Sequence, residues 1–91
     1  MSTISGRIRA YCKTKGIRCP GKKLLVADYL QKTNDYTDAG NLYLLLRNSY
    51  IKISPATVYQ SLIWLKENGF VECKTGEDQR QRESWYRIRH E

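Results

Sequence analysis

The chain has 91 residues, 41% of them apolar, and a formal net charge of +7. That length supports one small domain over residues 1–91 with a modest core, and no stretch approaches the roughly 20 apolar residues that span a bilayer. The amino terminus lacks the apolar centre of a signal peptide, and Cys12, Cys19 and Cys73 are an odd, widely spaced set with no C-x-x-C pair. These features favour a reducing, cytoplasmic setting and argue against a disulfide framework or a Cys-based zinc site. His90 is the single histidine, so no metal and no cofactor is expected.

In chain order, Met1–Thr3 reads as a frayed end. A first helix is predicted over Ile4–Lys15, with Ile4, Ile8 and Tyr11/Cys12 at helical spacing, Gly6 weakening its start and Gly16 closing it. Ile17-Arg18-Cys19 runs extended into Pro20, because a residue before proline avoids the helical region. Pro20 opens a second helix to Thr33, whose apolar side is expected to hold Leu24, Leu25 and Tyr29, with Val26 and Leu30 beside them. Asn34–Thr37 is turn-like. Thr37 is expected to cap a third helix, Asp38–Asn48, with a core stripe of Leu42, Leu45 and Leu46. Ser49–Ile53 is a connector in which a minor strand is conceivable.

The next helix has both ends written into it. Ser54 can cap the free N–H groups, and Pro55 suits the first helical position. Asn68-Gly69 is a stop signal. At about 100° per residue, Val58, Leu62 and Leu65 share one stripe with Ser61 between them. Ala56, Tyr59, Gln60, Ile63 and Glu67 lie opposite, a set that can approach another surface and hydrogen-bond to it. Phe70–Thr75 and Ser84–Arg89 then alternate as the strands of a hairpin, with Tyr86 and Ile88 on one face. The intervening polar turn carries Arg80 and Arg82. Four helices followed by a two-stranded β wing give an α+β, mainly α architecture, the winged helix-turn-helix.

Charge is polarised along the chain. Arg7, Arg9, Lys13, Lys15, Arg18, Lys22 and Lys23 precede any acidic residue and account for the whole excess; thereafter acids and bases cancel. Such a segment favours an anionic partner, most often nucleic acid.

The stretch Ser54-x-Ala56-Thr57-Val58-Tyr59-x-x-Leu62-x-x-Leu65-x-x-x-Gly69-x-Val71 resembles the recognition helix of the Fur (ferric uptake regulator) family. Gly16-Ile17-Arg18-Cys19-Pro20-Gly21-Lys22 resembles the link between that family's first two helices, and Asp38-Ala39-x-x-Leu42-Tyr43 resembles its third. The resemblance covers about residues 4–89. It implies that Tyr59 contacts DNA in the major groove and that Arg18 approaches the backbone or minor groove. Two departures stand out. Gln60 occupies a position where the family usually has Arg, and Gln pairs with adenine where Arg favours guanine or phosphate. The family's carboxy-terminal dimerisation domain, with its His- and Cys-rich metal sites, has no counterpart in these residues, so metal sensing does not carry over.

The expected function is sequence-specific binding of double-stranded DNA by a transcriptional regulator, with helix 54–68 in the major groove. Thr57, Tyr59 and Gln60 would reach bases or phosphates. Arg7, Lys13, Lys15, Arg18 and Lys22 would meet the backbone, and Arg80 and Arg82 an adjacent phosphate or the minor groove. The alternative is a winged-helix protein-interaction module docking through Ile63, Trp64 and Trp85. A homodimer is compatible with either. No nucleophile motif, His–carboxylate pairing or phosphate-cradling loop argues for an enzyme.

Overall fold

The computed structural model describes residues 3–18, 20–75 and 84–89. These form α1 (Ile4–Lys15), α2 (Gly21–Thr33), β1 (Thr37–Asp38), α3 (Ala39–Asn48), α4 (Pro55–Glu67), β2 (Val71–Thr75) and β3 (Ser84–Ile88). The arrangement is the expected winged helix-turn-helix, with one addition. The sheet has three strands in the order β1-β3-β2, all antiparallel, because Thr37 and Asp38 pair with Tyr86 and Trp85.

One continuous core joins helices and sheet. Ile4, Ile8 and Cys12 come from α1, Val26, Ala27 and Leu30 from α2, Leu42 and Leu46 from α3, and Val58, Leu62 and Leu65 from α4; Phe70, Val71, Tyr86 and Ile88 close it. Each large aliphatic side chain so buried stabilises the fold by about 2 kcal/mol. Two apolar runs differ from expectation. Leu25 and Leu45 are more than a third exposed, and the α2 stripe runs through Val26, Ala27 and Leu30 instead. Leu24–Ala27 and Leu42–Leu46 are uninterrupted apolar runs, so periodicity cannot set their phase.

Caps explain most helix starts. The Thr3 hydroxyl accepts from the Gly6 N–H, so Thr3 is a cap rather than a frayed residue. The Ser54 hydroxyl accepts from the Thr57 N–H at 3.1 Å, as its position in sequence implies. The third helix is capped by Asp38, not Thr37, its carboxylate accepting from Asn41 N–H at 2.6 Å. Sheet pairing holds Thr37 extended, and the anionic cap suits the positive helix end. The Ser49–Ile53 connector contains no strand.

Each helix is followed by a residue in the left-handed conformation: Gly16 (φ 68°), Asn34 (φ 53°), Tyr50 (φ 62°) and Gly69 (φ 78°). After α3 the Tyr50 N–H reaches the Arg47 carbonyl at 3.0 Å and the Ile51 N–H reaches Leu46 at 3.1 Å. The same double closure follows α1 at Gly16-Ile17 and α4 at Gly69-Phe70. Glycine suits this geometry and asparagine tolerates it; a bulky aromatic does so at a cost.

The outer face of the sheet carries a small ionic cluster. Arg87 donates to Glu72 at 2.7 Å, and its guanidinium lies 4.5 Å from the centre of the Tyr36 ring, with the Lys74 ammonium 5.8 Å from the same ring. The hydrogen bond from Arg87 holds the Glu72 carboxyl below its ordinary value and raises Arg87 in return.

Two outcomes are expected. Tyr50→Gly removes the left-handed penalty without removing packing, so it should stabilise by about 1 kcal/mol, about 4 °C in Tm by thermal melting. A lowered carboxyl pKa means that the Glu72–Arg87 pair contributes at neutral pH and is lost as pH falls through that lowered value. Melts taken from about pH 6 to about pH 3 should show a small wild-type advantage over Glu72→Gln that vanishes at the acid end.

Candidate nucleic-acid interface

The outward side of α4 follows from what its inward side buries. Val58, Ser61, Leu62 and Leu65 face the core, and the Ser61 hydroxyl is satisfied by the Thr57 carbonyl at 2.7 Å. Ala56, Gln60 and Glu67 are exposed, Ile63 is half-buried, and Tyr59 is 52% exposed. The phenol and amide singled out in the sequence therefore both point away from the core. At helical spacing Tyr59 lies on one flank and Thr57 and Trp64 on the other, with Gln60 and Ile63 between. On the hairpin, burial pushes the Tyr86 phenol up. The Thr57 hydroxyl is engaged with Ser54 at 2.8 Å and belongs to the cap.

The opposite flank is held by an aromatic trio. Trp64 stacks on Phe70 with centroids 6.2 Å apart, and Tyr11 meets both rings edge-on. The Tyr11 hydroxyl donates to Asn68 Oδ1 at 2.6 Å, and Asn68 Nδ2 donates to the Trp64 carbonyl at 2.8 Å. Trp64 is thus a packing residue joining α1 to the end of α4, which corrects the expectation of an exposed apolar patch at Ile63, Trp64 and Trp85. Ile63 and Trp85 are also only half-exposed.

The basic residues divide into two groups. Lys13, Lys15, Arg18 and Lys22 are exposed, on the last turn of α1, the link and the first turn of α2. The Lys15 ammonium lies 5.9 Å from the centre of the Tyr11 ring. Arg7 is different: Nη1 donates to the Arg89 carbonyl at 2.9 Å, and its guanidinium sits over Phe70 at 5.8 Å. It stitches α1 to the end of the hairpin. Lys23, part of the basic segment but not among the expected DNA contacts, lies over Trp64 at 5.7 Å. Arg80 and Arg82, with Cys19 and His90, lie outside the described residues.

Among the described residues no group of three His, Cys, Asp or Glu side chains comes together that could hold a metal ion. Nor is any described helix long and apolar enough to cross a membrane. Sequence reasoning missed a basic, aromatic segment running from the last turn of α3 into the connector to α4, comprising Arg47, Tyr50 and Lys52. Acids and bases balance over residues 24–91 as a whole, which masks the two cations of this segment, and Tyr50 carries none of the usual signals of a left-handed residue.

Residues 14–90 match the model of the Ferric uptake regulator family. No curated protein matches the chain in sequence. Among solved structures it is similar to the Vibrio cholerae ferric uptake regulator, with a TM-score of 0.76 and 23% identity over 90% of this chain and 61% of that one. It is similar to PerR of Streptococcus pyogenes, a protein of peroxide sensing and gene regulation, with a TM-score of 0.76 and 23% identity over 96% of this chain and 58% of that one. The Helicobacter pylori ferric uptake regulator, which has three functional metal-binding sites, gives a TM-score of 0.75 at 19% identity over 93% of this chain and 55% of that one. The chain thus spans less than two thirds of the length of each of these proteins, and at such identities the likeness establishes the fold. The family match and the shared winged helix-turn-helix together show that this chain belongs to the Ferric uptake regulator family, whose members are DNA-binding transcriptional regulators and not enzymes.

Proposed function

We propose that this chain binds double-stranded DNA in a sequence-dependent manner and regulates transcription in the cytoplasm, with α4 in the major groove. The observation that carries this reading is the outward face of α4, where Tyr59 is 52% exposed beside Gln60 and Ala56. A small residue allows close approach, a phenol can donate or accept, and an amide can pair with both groups on an adenine edge. Lys13, Lys15, Arg18 and Lys22 supply phosphate contacts on the α1–α2 side, and Thr57 acts from the cap of α4. Arg7 contributes through the position it gives α1. Two copies would bind a site of two half-sites. The competing reading, a protein-docking module, loses its main residue because Trp64 is packed against Phe70 and Tyr11.

Selection of bound duplexes from a random pool, followed by affinity titration against salt, tests the proposal. Tyr59→Ala and Gln60→Ala should each weaken binding to the selected duplex about tenfold with little change in Tm, since both residues are exposed. Gln60→Arg should move the preferred base at one position from adenine to guanine. Equal affinity for selected and random duplexes would refute sequence-dependent reading.

A further inference from the structure

Of the four left-handed helix ends, three hold Gly16, Asn34 and Gly69, and one holds Tyr50. Tyr50 is also 96% exposed, so its ring contributes nothing to the core that could offset its backbone conformation. A strained, solvated aromatic with no packing role points to something outside the chain. Its surroundings say what. Tyr43, Arg47, Tyr50, Ile51, Lys52 and Ile53 line an open groove of about 430 Å³ between α3 and the connector. The lining carries two cations and two phenols but no carboxylate, and among the described residues neither Arg47 nor Lys52 is paired with an acid. Lys52 is two residues before Ser54, so the groove ends within about 7 Å of the cap of α4. The first turn of α4 holds no acidic residue either, leaving its positive end uncompensated.

We propose that this groove is a second DNA contact, taking the sugar-phosphate backbone beside the major groove that α4 reads. Arg47 and Lys52 meet phosphate oxygens, while Tyr43 and Tyr50 set their rings against deoxyribose and their hydroxyls toward phosphate. The assignment rests on the α4 reading, and continuity with the cap of that helix favours DNA over an acidic protein. Tyr50 then exchanges fold stability for affinity.

The test uses the full chain and the duplex selected by the wild-type protein. Arg47→Gln with Lys52→Gln should weaken binding more than tenfold at moderate salt and reduce the steepness of log K against log salt by about 2. Its ranking of selected over mismatched duplexes should not change. Tyr50→Gly should raise Tm yet weaken DNA binding about threefold, and Tyr50→Phe should recover most of that loss. A residue with only a structural role would not move the two readouts in opposite directions. The proposal is overturned if the double variant keeps its affinity and salt slope on a duplex that Tyr59→Ala binds more weakly than the wild type does. It is equally overturned if the double variant keeps DNA but loses a poly-glutamate peptide bound by the wild type, which would assign the groove to an acidic protein. Failure of the wild type to select any duplex defeats the α4 reading and this inference with it.

Discussion

Val58, Ser61, Leu62 and Leu65 occupy about 100° of the circumference of α4, and the burial of that narrow stripe decides what the rest of the helix can do. Because the stripe is narrow, Ala56, Tyr59, Gln60 and Glu67 stay in solvent without leaving a core position empty. Because Ser61 returns its hydroxyl to the Thr57 carbonyl, a polar residue sits among leucines with its hydrogen bond made. The cap at Ser54 and the left-handed Gly69 bound the helix, so its rotation about its own axis is set by packing and its length by backbone chemistry.

This helix was also the part most open to sequence reasoning. Its cap, proline and stop residues are chemically distinct, and polar residues interrupt its apolar stripe often enough to define a phase. Where those interruptions are missing, phase was lost: Leu25 and Leu45 lie in runs that look equally apolar on every side. Interactions distant in sequence were hidden for another reason. Nothing near Arg7 indicates that its guanidinium ends on the Arg89 carbonyl, and nothing near Thr37 announces a two-residue pairing with β3. Trp64 read as an exposed apolar group because its partners, Tyr11 and Phe70, come from α1 and from the start of the hairpin.

Tyr50 illustrates a different limit. Left-handed residues are usually inferred from glycine or asparagine, and this chain follows that habit at Gly16, Asn34 and Gly69. The hydrogen bonds from Tyr50 to Arg47 and from Ile51 to Leu46 impose the conformation regardless of the side chain. Backbone closure thus overrode local preference, and the ring was left in solvent.

The Tyr11–Asn68 hydrogen bond, together with the aromatic trio, joins the first helix and the last into one stiff piece. Neither can tilt without dragging the other. The separation between the exposed lysines closing α1 and the amide on α4 is therefore a built-in ruler, whose graduation is set by ring diameters rather than by a hinge. A double helix laid against both must match that length as it stands, and a loosened joint at Asn68 would blur the spacing before it touched any residue that reads a base.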